Sequence, residues 1–117
     1  MRKRDYRDYV QDILDSISET KEFTAGFSFE DFRNDRKTQN AVIRSIEVMG
    51  EAAKKIPPSL RRKHAGVPWQ KMSGMRDKLI HEYSGVDMEI VWQAIKEELP
   101  AVKPLIARVL KELEHKK

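Results

Sequence analysis

The chain has 117 residues, 39% hydrophobic and 36% charged, with a net charge of +4 from 23 basic and 19 acidic side chains. That length fits one domain over residues 1–117 and leaves no room for separate catalytic and regulatory domains, and the charge permits contact with a polyanion without demanding one. The absence of cysteine excludes disulfides and thiolate metal sites.

No run approaches the ~18 apolar residues of a membrane span. The opening MRKRDYRDYVQDIL is basic but reaches acidic and polar residues before any apolar run, unlike a signal peptide. The expectation is a soluble, cytoplasmic protein with no membrane partner.

In the first segment Tyr6, Tyr9, Val10, Ile13, Leu14 and Ile17 recur at steps of three and one, which winds an apolar stripe along one helical face until Gly26 ends it. FSFEDF predicts a short helical turn capped by Ser28, whose hydroxyl can accept from the exposed amides of the first turn. A long helix follows from about Asp35, with Val42, Ile46, Met49, Ala53 and Ile56 on one face. Pro57 and Pro58 stop it, because neither can donate a backbone N–H. Residues 59–68 read as a basic loop ending in Pro68, which suits the start of a helix from Trp69 to near Gly85. Asp87 can cap the next helix, whose inner face carries Met88, Val91, Trp92, Ile95 and Leu99. Pro100 and Pro104 then bend the chain into a last helix through Val102, Leu105, Ile106, Val109 and Leu113. No segment alternates with period two, so the fold class is all-α: an up-and-down bundle of four to five main helices.

The helix from Trp69 holds the chemistry. Trp69, Met72, Leu79 and Tyr83 follow heptad-like spacing, and the position missing from the series is occupied by Arg76. A guanidinium in or beside an apolar stripe is costly to bury unless it meets an anion: a neighbouring carboxylate, or a phosphate. At about 100° per residue Tyr83 returns to the face of Arg76, while Asp77 and His81 share an adjacent face, where the carboxylate can orient or charge-stabilise the imidazole. Arg76 and His81 are themselves about 140° apart on an ideal helix. Convergence on one group therefore needs long side chains, a loosened helix end before Gly85, or contributions from two chains, of which the last is preferred. Histidine is the side chain that ordinarily exchanges a proton near neutral pH, so His81 suits proton transfer. The basic run Arg61, Arg62, Lys63 reads either as solvated surface or as a contact for a phosphate backbone. No metal site is expected, since His64 and His115 lack companions, and there is no glycine-rich phosphate loop or nucleophile elbow.

RDKLIHEY fits the R-x4-H-x-Y signature of the HEPN superfamily, and its setting VPWQKMSGMRDKLIHEYSGVDMEIVW, with VIRSIEVMGEAAKKIP upstream, resembles the HepT branch over nearly the whole chain. That resemblance implies a helical homodimer and a metal-independent RNase toxin, without a cofactor, of a type II or type VII-like toxin–antitoxin pair. It also implies an antitoxin partner that is a small nucleotidyltransferase of the MNT type. Carried over by position, Arg76 and His81 match the ribonuclease pair, Asp77 the polar position after the arginine, and Tyr83 the tyrosine that the partner modifies with AMP. A rival reading from another class is a noncatalytic dimeric module that binds the nucleotidyltransferase through the same residues.

Overall fold

The computed structural model describes residues 4–81 and 87–115, the side chains of Ile80 and His81 excepted. Among the described residues seven α-helices follow one another: α1 (Tyr6–Phe23), α2 (Phe29–Arg33), α3 (Arg36–Lys54), α4 (Pro58–Lys63), α5 (Trp69–His81), α6 (Met88–Gln93) and α7 (Leu99–His115). The described residues contain no strand, and the architecture is the expected all-α bundle.

Side-chain caps set the helix starts. Asp5 and Asp8 close a reciprocal capping box on α1, and Ser28 and Asp31 do the same on α2. Asp35 accepts from the amide of Thr38 at the start of α3, and Asp87 from that of Glu89 at the start of α6. Gly26 lies between α1 and α2 at φ +79°, in the left-handed region where only glycine is unstrained.

The long helix α3 is the centre of the bundle, packed against α1 on one side and α5 on the other, while α7 covers α1. Its stripe Val42, Ile46, Met49 and Ala53 is buried, with Ile56 just beyond it, against Val10, Ile13 and Ile17 of α1 and Ile106 and Val109 of α7 within one core cluster. Phe32 of α2 is fully buried, which contributes about 1.5–3 kcal/mol relative to exposure. Its ring lies 5.2 Å from that of Trp92, closing the end of the bundle. Tyr6, the first member of the predicted stripe, is 50% exposed and contributes little to this core.

Two expectations are corrected. Residues 58–63 of the predicted basic loop form the helix α4, because Pro58 sits at its first position with φ already helical and no N–H to satisfy. The prolines that stop α3 thus start α4. Nor do Pro100 and Pro104 interrupt the helical backbone: residues 88–115 are helical throughout, and both prolines lie within α7. A wide π-type turn over Ala94–Glu98 lets Leu99 N–H donate to the carbonyl of Ala94, five residues back. Pro100 follows where the register returns to the α type, so its missing N–H interrupts a ladder already shifted there.

Candidate active site

The site is built where α5 crosses α3. Gly50 is buried in the middle of α3, and a Cβ placed on it would come within 2.2 Å of Arg76 Cβ and 2.9 Å of the Met72 carbonyl. The two backbones approach this closely only because position 50 has no side chain. The approach seats Arg76 in the seam between the helices, its side chain 27% exposed. Its Nε is buried with no hydrogen-bond partner among the described residues, while Nη1 reaches Asp77 Oδ1 at 3.3 Å.

A second cation meets the same oxygen. Lys54, one helical turn after Gly50 on α3, places Nζ 2.5 Å from Asp77 Oδ1. The hydrogen bond from Lys54 is the largest influence holding the Asp77 carboxyl below its ordinary value near 3.8; burial opposes it, and Arg76 adds to it. Asp77 is thus an ionised acceptor flanked by two cations, and the triad carries one net positive charge.

The structure therefore brings together Arg76, Asp77 and Lys54. His81 is the last residue of α5, five positions beyond Arg76, and its side chain lies outside the described residues, as does Tyr83 altogether. The predicted pairing of Asp77 with His81 falls outside them for the same reason.

The basic run lies elsewhere. Arg61 Nε and Nη2 donate to the carbonyls of Ile56 at 3.0 Å and Ala53 at 2.7 Å, so its guanidinium closes the C-terminal end of α3. Arg62 and Lys63 are exposed. Arg61 and Arg62 line a shallow hollow with Val67, Pro68, Trp69 and Lys71. Among the described residues no three His, Asp or Glu side chains are gathered so as to hold a metal ion, and no helix is long and apolar enough to cross a membrane.

A family model described as ribonuclease HepT-like matches residues 13–109. The chain belongs to the HepT-like family. A protein of Thermococcus cleftensis named "Probable ribonuclease HepT" is 50% identical over 101 residues, which cover 86% of this chain and 92% of that one. A protein of Methanocaldococcus jannaschii named as a candidate RNase is 43% identical over 116 residues, 99% of this chain and 100% of the relative. Another candidate RNase, from Caldanaerobacter subterraneus, is 43% identical over 104 residues, 89% of this chain and 93% of its own length. No solved structure matches the chain significantly.

Two residues of this candidate site, Gly50 and Lys54, were missed by sequence reasoning. A glycine inside a long amphipathic helix costs about 1 kcal/mol against alanine, which is a signal that something packs closely there. Lys54 lies four residues on, hence on the same face, but nothing in the sequence pairs it with Asp77.

Proposed function

We propose that this HepT-like protein is a metal-independent endoribonuclease in which Arg76 and His81 act on the phosphate and protons of an RNA strand. The observation that supports it is the seating of Arg76: a guanidinium fixed at the α3–α5 seam, in a triad of net positive charge, on a helix that carries a histidine five residues later.

RNA contains its own nucleophile. The ribose 2′-oxygen attacks the adjacent phosphorus, its proton passes to a base, and the 5′-oxygen of the next nucleotide leaves as it takes a proton, giving a 2′,3′-cyclic phosphate and a 5′-hydroxyl. His81 moves the protons. Arg76 balances the charge that builds on the phosphoryl oxygens. Asp77 keeps the local charge in bounds and Arg62 and Lys63, with what Arg61 leaves exposed, guide the strand. A homodimer would present two copies of the motif to one cleft and ease the divergence of Arg76 and His81.

The finer reading is a toxin held in check by a nucleotidyltransferase antitoxin. In that reaction the Tyr83 phenol oxygen attacks the α-phosphorus of ATP, pyrophosphate leaves, and the phenolic proton passes to solvent or base. The attached phosphate then competes with RNA for Arg76. The test is incubation of the purified protein with single-stranded RNA and a chelator, reading the termini produced. Cyclic-phosphate ends that vanish in His81→Ala support the reading. Identical cleavage by both proteins, or none by the wild type, leaves the binding-module alternative in its place.

A further inference from the structure

Lys54 reaches from α3 to a carboxylate on α5, and the geometry says what would happen without it. Asp77 adjoins Arg76 in sequence and already touches Nη1, so an unshared carboxylate would close onto the guanidinium as a charge-assisted pair and cancel the charge a phosphate needs. The two contacts to Oδ1 are unequal: Lys54 hydrogen-bonds it directly, whereas Arg76 is at 3.3 Å, beyond the usual charge-assisted range. Gly50 lets the base of the Arg76 side chain sit in the seam, where its Nε is buried, while the Asp77 side chain is 44% exposed, so the carboxylate is the more adjustable member.

We propose that Lys54 is a positioning residue that draws Asp77 away from Arg76 and keeps the guanidinium open to an RNA phosphate. This rests on the reading of Arg76 as the phosphate-binding group. Lys54 itself acts through Asp77 and need not touch RNA.

The test measures binding of a short 2′-O-methyl RNA, which cannot be cleaved, to wild type, Lys54→Met, Asp77→Asn and the double variant at one salt concentration. Lys54→Met should weaken binding about fivefold, the scale of a partly exposed ion pair. The double variant should recover wild-type affinity or better, because no carboxylate is left to occupy Arg76. Lys54→Arg, which restores the cation, should bind as wild type and controls for folding alongside circular dichroism. Wild-type affinity in Lys54→Met, or a double variant as weak as Lys54→Met, overturns the proposal; the latter makes Lys54 a direct phosphate contact. No binding by the wild type overturns it too. Cleavage of ordinary RNA is measured in parallel: its absence, with the binding pattern intact, sinks the ribonuclease reading and leaves the role of Lys54 standing.

Discussion

Gly50 and Arg76 meet backbone to side chain across the α3–α5 seam, with no room for a methyl group between them: a Cβ on residue 50 would lie 2.2 Å from that of Arg76. The obstructing atoms belong to the rigid base of the arginine side chain and to the Met72 carbonyl, so relief requires the helices to separate. Gly50→Ala should therefore destabilise the fold by about 1–3 kcal/mol despite the better helix propensity of alanine, which is smaller at about 1 kcal/mol. It should also displace Arg76 and lower RNA cleavage. Chemical denaturation checks the first effect; a variant as stable as wild type would mean that the seam yields without strain.

Asp77 supplies a pH dependence with a definite sign. Its folded carboxyl sits below the ordinary value near 3.8, chiefly through the hydrogen bond from Lys54 and opposed by burial. A depressed folded value means that the ionised group stabilises the fold above 3.8, and that this contribution is lost as the pH falls through the folded value. The stability difference between wild type and Asp77→Asn should be full at neutral pH and shrink progressively below pH 3.8. Paired denaturant titrations measure it, and a difference independent of pH would separate Asp77 from Lys54 in solution.

What could be read in the sequence is what depends on neighbours along the chain. The stripes of α1 (Tyr6 excepted), α3 and α7, and the caps Ser28 and Asp87, are local patterns and lie as predicted. The helix α4 was missed because Pro57 and Pro58 were read only as a stop, although the same ring starts a helix at its first position. The wide turn at Ala94–Glu98 was missed because its i+5 hydrogen bonding leaves the apolar periodicity of Val91, Ile95 and Leu99 legible as an ordinary helix. Arg76 stood out as a break in its own stripe. Lys54 did not, since its pairing with Asp77 arises only when α3 and α5 cross.

Removing the proposed proton carrier should be more revealing than removing a charge. His81→Ala should lower the cleavage rate by about 10²–10⁴, the range of general acid–base catalysis. Arg76→Ala should lower it by about 10²–10³, as loss of one charge-stabilising donor does. Both variants should keep wild-type helical content, and a chelator should leave the wild-type rate unchanged. A rate that collapses on chelation would assign the cleavage to a metal-dependent route.

Tyr83 lies seven residues beyond Arg76, a spacing that returns to the same face of an ideal helix. If a nucleotidyltransferase partner silences the protein by modification, incubation with that partner and ATP should add AMP-sized mass to Tyr83 and abolish cleavage. Tyr83→Phe should escape both while cleaving RNA normally. Neutralisation with Tyr83 unmodified by mass spectrometry would leave occlusion by the bound partner as the route.

The basic run at Arg61, Arg62 and Lys63 should separate into two behaviours. Arg61 spends its guanidinium on the carbonyls of Ala53 and Ile56, at and just beyond the end of α3, where the Ala53 carbonyl also accepts from the Ile56 N–H. Truncating it removes two hydrogen bonds from a charged donor, so Arg61→Met should cost about 1.5–3 kcal/mol of stability. Arg62 and Lys63 are exposed, and the double variant Arg62→Gln/Lys63→Gln should leave stability within about 0.5 kcal/mol of wild type. If these two side chains meet the RNA backbone, the same variant should weaken binding across sequences and make the dependence of log K on log salt shallower by about 1.4 for two single-strand contacts. A salt slope equal to that of wild type would confine the run to a structural and solvated role, and would shift the search for the RNA track to the face that carries Lys54 and Arg76.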